Sequence, residues 1–392
     1  MSEWKKATLS QVAEIIGGFA FKGEHFSDDG DSTVIKIKDI QAPFINIDGA
    51  TKVFMESYSQ DKLEKFLLKR GDFALAMTGA TIGKIGKLIG DKQAYINQRV
   101  AKIDPHGDVS KEFVYYCIRG DDFQVFIQNN IDSHSAQENI SSTSIGRYPI
   151  DLPYLPEQKA IAEVLCSLDD KINLLHRQNK TLESLAETLF RQWFVEEAQD
   201  DWRDGVLSDE FLFTMGQSPA GSSFNEDGIG VPMFQGNADF GFRFPTERVY
   251  TTEPTRYAKK LDTLISVRAP VGAQNMAHKE CCIGRGVAAF RYKNNPNYYT
   301  YTYFKLRSLM IEISQFNDEG TVFGSISKSD FESLRVMIPP EALILKYESE
   351  VKPLNDKIIA NCQSISVLEK IRDTLLPKLM SGEVRVQYQE AV

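Results

Sequence analysis

Excess positive charge, paired cysteines, long apolar runs and the signatures of catalysis are all missing from this 392-residue chain. With 45 Lys and Arg against 54 Asp and Glu the formal net charge is −9. That balance excludes a uniformly basic surface of the kind that holds nucleic acid by phosphate neutralisation alone. The five cysteines (Cys117, Cys166, Cys281, Cys282, Cys362) are odd in number and show no C-x-x-C or Cys/His spacing. A zinc site and a disulfide framework are therefore not expected, and buried free thiols are. No apolar run approaches the ~20 residues of a membrane span. The opening MSEWKKATLSQ carries no apolar stretch after its lysines, so no secretory signal, no membrane partner and a cytoplasmic location are expected.

Catalytic signatures fail one by one. An amino-methyltransferase needs an (N/D)-P-P-(F/Y) loop for the target amine and a Gly-rich loop after a strand for the methyl donor. The nearest string, Asn295-Pro296-Asn297-Tyr298, lacks the second proline and reads as a turn. Gly79-Ala80-Thr81-Ile82-Gly83-Lys84 is one residue short of a P-loop and is followed by Ile85 where Ser or Thr would hold magnesium. The five histidines are scattered, and no Ser–His, paired-carboxylate or metal-ligand cluster stands out. No cofactor, metal or catalytic residue is expected.

What is present is an ordinary globular composition, 42% apolar and 25% charged, on a chain long enough for more than one core. Residues 1–150 carry 18 basic and 20 acidic side chains and residues 211–340 carry 14 and 12, whereas residues 151–210 carry 6 and 14. The negative excess thus sits in one stretch, and two near-neutral blocks flank it. The two blocks share a plan. At an offset of about 186, AYINQRVAKI (94–103) aligns with CCIGRGVAAF (281–290), Ile150-Asp151-Leu152-Pro153 with Val336-Met337-Ile338-Pro339, and Leu182-Glu183 with Leu368-Glu369. Upstream the offset drifts to 198, where Trp4, Leu9 and Ser10 answer Trp202, Leu207 and Ser208. Short β-type runs with turn signals, VIKIKDI (34–40), DFALAM (72–77) and DTLISV (262–267), predict mostly β globular halves.

Between the halves, residues 156–194 have no internal Gly or Pro after the first position and predict one long helix. Its apolar positions step by four and three: Ile161, Leu165, Leu168, Ile172, Leu175, Asn179, Leu182, Ala186, Leu189, Trp193. A second series runs Tyr347, Val351, Leu354, Ile358, Asn361, Ile365, Leu368, Arg372, Leu375, Leu379, with Pro377 expected to kink or end its helix. Each is a coiled-coil seam with a polar layer. Paired antiparallel at a constant residue-number sum of 540, the seams set Asn179 opposite Asn361, Ile172 opposite Leu368 and Leu182 opposite Ile358. A buried Asn pair is a known register device. The expected fold class is α+β: two mostly-β globular domains joined by two long helices packed as an antiparallel coiled coil, a rigid spacer.

LPYLPEQKAIAEVLCSLDDKINLLHRQNKTLESLAETLFRQWF (152–194) and LEKIRDTLLPKLMSGEVRV (368–386) resemble the spacer regions of type I restriction-modification specificity subunits. FAFKGEHF (19–26), RGDFALAMTGATIGKIG (70–86), MGQSPAGSSFN (215–225), MFQGNADFG (233–241), RAPVG (268–272) and GTVFGSISKSDF (320–331) resemble their recognition domains, in the family's order over nearly the whole chain. The resemblance implies a non-catalytic subunit. Each of its target-recognition domains reads half of a split site in double-stranded DNA, and its helices set the gap and bind two modification (methyltransferase) subunits. Restriction subunits join the full complex. The expected division is a first recognition domain over 1–153, a central spacer helix over 154–198, a second domain over 199–339, a C-terminal spacer helix over 340–380 and a tail over 381–392. An intrinsic methyltransferase or nuclease, and a stand-alone DNA-binding regulator, are the competing readings.

DNA-contact candidates follow from side-chain chemistry and loop placement. Lys84, Lys87 and Arg99 in the first domain, and Arg268, Arg285 and Lys328 in the second, sit in the shared turn segments and suit phosphates. Lys22, His25, His134 and Asn139, and Gln217, Asn225, Gln235, Asn237 and Arg243, sit in the dissimilar loops and suit base edges.

Overall fold

The computed structural model describes residues 4–131, 138–315 and 325–387. The chain divides into two compact units, residues 1–171 with 369–392, and residues 172–368. The long helices Leu155–Arg191 and Glu341–Met380 each contribute residues to both units.

In the first unit, strand Lys5–Thr8 pairs antiparallel with Pro149–Leu152 and closes the domain's two ends against each other. The sheet behind it is built on Val100–Pro105, which lies antiparallel between Ala13–Gly17 and Phe73–Ala76. A second sheet carries a parallel pair, Ser32–Ile35 beside Ala94–Ile96, with Leu67–Leu68 antiparallel at its flank. Phe73, Ala74, Leu75 and Ala76 are all buried, as expected of a strand covered on both faces.

The second unit repeats this plan from different residues. Arg203–Val206 pairs with Arg335–Ile338, Val287–Tyr292 lies between Phe211–Met215 and Thr263–Ser266, and Val231–Phe234 runs parallel to Cys281–Ile283 beside Tyr257–Ala258. The duplication reaches single atoms. Gly18 N donates to Val100 O and Gly216 N to Val287 O, at 2.8 and 2.9 Å. A Cβ at either glycine would stand 2.2 or 2.1 Å from a facing carbonyl oxygen, so no larger residue fits. Before each central strand a turn is closed by an aspartate, Asp72 accepting from Lys69 N and Asp262 from Lys259 N, both at 2.8 Å. The residue before it is left-handed in both units: Gly71 at φ 84° and Leu261 at φ 68°.

The helices pack antiparallel within each unit. In the first, Ile161 and Leu165 share a core with Leu375, Leu376 and Leu379. In the second, Ile172, Leu175, Ile365 and Leu368 form one cluster, and Ala186, Leu189, Trp193, Tyr347, Val351 and Leu354 belong to the main core. Asn361 Nδ2 donates to Asn179 Oδ1 at 2.9 Å, and both residues are buried. This is the pairing at a sum of 540. The long central helix is present, and of the two outcomes expected at Pro377, kinking or ending, the second does not occur. Pro377 does not end the second helix, which continues to Met380 because Leu376 and Leu379 anchor its last turn in the core. The central helix leaves α geometry at Arg191 and closes with a π turn, Gln192–Glu196, that brings Phe194 into the core. Among the described residues no helix is long and apolar enough to cross a membrane.

Candidate nucleic-acid interface

In the first unit Lys22 and His25 flank a short 3-10 turn, Gly23–His25, held over an aromatic cluster. His25 Nδ1 lies 2.7 Å from the Tyr58 hydroxyl, which also accepts from Lys22 N at 3.1 Å, so the loop is tied at two points. Phe19, Phe21 and Phe26 complete the cluster, and Lys36 Nζ stands 3.8 Å over the Phe26 ring. Burial, then the neighbouring Lys38, lowers the Lys36 pKa from its ordinary value. VIKIKDI, which carries Lys36, reads in the sequence only as a strand.

Lys84 and Arg99 are exposed, and Lys87 is half-buried with its ammonium 5.3 Å from the Tyr115 ring centroid. Arg99 reaches Asn139 Oδ1 at 3.4 Å, and Asn139 is bridged through its backbone to Thr78, so these two candidates lie together. His134 lies outside the described residues.

In the second unit Gln235 and Arg285 meet at Ser218, the residue after Gln217. The Ser218 hydroxyl donates to Gln235 Oε1 at 2.9 Å and accepts from Arg285 N at 3.2 Å, leaving the Arg285 side chain exposed. Asn237 opens the 3-10 turn Asn237–Asp239 and is half-buried. Arg268 is exposed and paired through its backbone with Ser325, and Lys328 is exposed beside Glu332 at 3.2 Å. Asn225 is committed elsewhere: its amide donates to Ile229 O at 2.9 Å and its oxygen accepts from Ile229 N at 3.0 Å, closing its own loop.

Arg243 requires correction outright. It is 1% exposed and cannot meet a base edge. Its guanidinium lies 3.9 Å from the Tyr303 ring centroid, and Nη2 donates to Glu183 Oε1 at 3.2 Å. The sequence reading failed because the partner carboxylate is 60 residues away on the flank of the central helix. Burial pushes the Glu183 carboxyl above its ordinary value, against the pull of Arg243 and Arg307. Among the described residues no group of three or more His, Cys, Asp or Glu side chains is placed to share a metal ion.

The two-fold repetition of the plan is matched by the comparisons with known proteins. The family model for the type I restriction modification DNA specificity domain matches twice, over residues 1–184 and 200–352. The MjaX specificity subunit of Methanocaldococcus jannaschii is 29% identical over 98% of this chain and 94% of its own length. The type I restriction enzyme HindI specificity subunit of Haemophilus influenzae is 20% identical over 82% of this chain and 88% of its own. The crystal structure of a type I restriction-modification S subunit from M. genitalium shares the fold, with a TM-score of 0.62 at 19% identity over 96% of each chain. Two domain matches spanning most of the sequence, on a fold that repeats itself hydrogen bond by hydrogen bond, show that the chain belongs to the type I restriction-modification DNA specificity family.

Proposed function

We propose that this chain is the sequence-reading subunit of a type I restriction-modification complex, with no chemistry of its own. Residues 1–153 and 199–339 act as two target-recognition domains, each reading one half of a bipartite site in double-stranded DNA. The helices over 154–198 and 340–380 set the gap between the half-sites and bind two modification subunits, which supply adenine methylation. Restriction subunits join the full complex. The observation that carries this reading is the duplicated framework with unlike loops. The same turns and strand pairings recur in both units, while the exposed side chains in the dissimilar loops differ, Lys22 in one and Gln217 and Gln235 in the other. A shared frame suits backbone contacts and differing side chains suit different bases. With the chain at net charge −9, the modification subunits supply much of the positive potential.

The test is domain exchange. The chain is co-expressed with its modification subunits and methylated adenines are mapped by sequencing. Replacing residues 1–150 by the matching domain of a relative changes one half of the methylated motif and leaves the other intact. A chimera that alters both halves together refutes independent reading, and methyl transfer by the purified chain alone refutes the non-catalytic assignment.

A further inference from the structure

Each unit has a hairpin whose tip leans on a helix. In the first, Ile37–Asp39 forms a 3-10 turn, Ile40 pairs with Ile45, and Asn46 N donates to Asp39 O at 2.8 Å. In the second, Asn237–Asp239 forms the same turn, Phe240 bridges Pro245, and Thr246 N donates to Asp239 O at 2.7 Å. The offset is 200 throughout, which equates Pro43 with Arg243. Their carbonyl oxygens play one part: Lys87 N donates to Pro43 O and Met276 N to Arg243 O, both at 2.9 Å. Beneath the tips lie matching helices, Lys111–Cys117, which carries Tyr115 and is followed by Arg119, and Tyr299–Ser308, which carries Tyr303 and Arg307. Tyr115 Oη donates to Pro43 O at 3.4 Å, and Tyr303 lies under the Arg243 guanidinium.

The corner differs in how it is closed. In the first unit it is a cleft of about 300 Å³ lined by Ala42, Pro43, Lys84, Ile85, Arg119 and Gln124. In the second the Arg243 side chain occupies it, ringed by Tyr303 and Phe304, and ends on Glu183 Oε1 of the central helix. Arg307 Nη1 reaches the same oxygen at 3.2 Å. A second tie lies close by. Phe244, next in the hairpin, packs on His278 at 4.9 Å, and His278 Nε2 stands 3.2 Å from Gln363 Nε2 of the C-terminal helix. Glu183 is one helical turn from Asn179, and Gln363 two residues from Asn361. The hairpin is therefore fastened to the helix pair at its polar layer.

We infer that Arg243 is a positioning residue for recognition: it locks the 239–246 hairpin of the second unit, and the neighbouring Gln235 and Asn237, to the spacer helices, so that its loss relaxes the reading of one half-site only. The inference rests on the function proposed above. The guanidinium is held by one hydrogen bond, Nη2 to Glu183 Oε1, and by its flat contact with the Tyr303 ring, while Nε and Nη1 are buried without a hydrogen-bond partner, so the tie to the helix is a buried charge pair and a ring contact. The first unit has no arginine at that position, so its reading does not depend on such a lock.

The test uses the full chain with its modification subunits, acting on unmethylated genomic DNA, with methylated adenines mapped by sequencing. Arg243→Met retains the bulk and removes the charge, and Glu183→Gln removes the acceptor's charge at constant shape. Both are expected to raise methylation at sites with a single mismatch in the second unit's half-site about tenfold relative to the cognate site, with the other half-site unchanged. Arg243→Lys keeps the charge, loses the planar guanidinium that lies on Tyr303 and gives a smaller effect in the same half. Should Arg243→Met fail to accumulate, the lysine and glutamine variants carry the comparison. Equal loss at both half-sites, as from general destabilisation, overturns the inference, and so does unchanged selectivity. If the wild-type complex methylates no bipartite motif, the proposed function falls and the inference with it.

Discussion

Replacing Asn179 and Asn361 by leucine, singly and together, separates a paired polar layer from two independent buried amides. The Asn361 amide donates to Asn179 Oδ1 at 2.9 Å, and Asn179 Nδ2 has Cys362 Sγ at 3.4 Å. Asn361→Leu leaves Asn179 Oδ1 buried without this donor, and Asn179→Leu strands the Asn361 amide. Each single change is expected to cost about 1–3 kcal/mol, the desolvation penalty of an orphaned polar group. The double variant removes both amides and lets leucine meet leucine between the Leu175–Ile365 layer and Ile358. It is expected within about 1 kcal/mol of the wild type or above it, since replacing both members of a buried polar pair is often neutral or stabilising. With the double near the wild type, the coupling energy is about the sum of the two single costs, roughly 2–6 kcal/mol. Urea unfolding followed by tryptophan fluorescence reads it in a Trp4→Phe background, where Trp193 and Trp202 both report on the second unit. An unchanged slope against denaturant certifies that stability alone has moved. If the two single costs add to the double within about 0.5 kcal/mol, the layer is not a coupled pair and the register argument loses its energetic basis.

The Glu348 carboxyl is 4% exposed, and burial drives its pKa up to about 7 against the opposing hydrogen bond from Tyr301 N. Because the folded value lies above the unfolded one, its contribution is complete below about pH 4.5 and is lost as pH rises through about 7. Glu348→Gln should therefore raise the thermal midpoint at pH 8, by an amount equivalent to about 1–3 kcal/mol, and give little at pH 5; equal effects at both pH values would contradict the raised pKa. At Gly71, φ is 84° and no atom lies within 4 Å of where a Cβ would stand, so Gly71→Ala carries a purely conformational cost of about 1–2 kcal/mol. Calorimetry of that variant checks the assignment, and an unaltered first-unit transition would reject it.

Sequence legibility tracked how locally each signal is written. The seam register could be read because apolar spacing along one helix and its mirror along the other are each local patterns, and only one sum aligns both asparagines. The strands Phe73–Ala76 and Thr263–Ser266, one beside each of Val100–Pro105 and Val287–Tyr292, were legible for the same reason. The hairpin correspondence at offset 200 was hidden, because its equivalence lives in backbone hydrogen bonds while its residues, Pro43 and Arg243, have nothing in common chemically. Arg243 was misplaced because arginine is ordinarily exposed unless paired, and its pairing depends on tertiary contacts with Glu183 and Tyr303. Pro377 misled in the opposite sense: the local rule that proline stops a helix yielded to packing of Leu376 and Leu379.

The first unit draws on residues at both extremes of the described chain. Trp4 Nε1 donates to Glu157 Oε2 at 3.2 Å, and Arg385 forks onto the same carboxylate at 2.5 and 2.8 Å, with Glu157 wholly buried. Glu157 and Arg385 are 228 residues apart. At synthesis rates of about 5–20 residues per second, the carboxylate waits roughly 10–45 s for its guanidinium. Throughout that interval residues 172–368 emerge and are free to complete their own core, while the first unit lacks the guanidinium and the 369–387 segment that cover Glu157 in the finished fold. Released chains truncated after Leu368 should accordingly display a protease-resistant second unit beside a first unit that is still open to digestion.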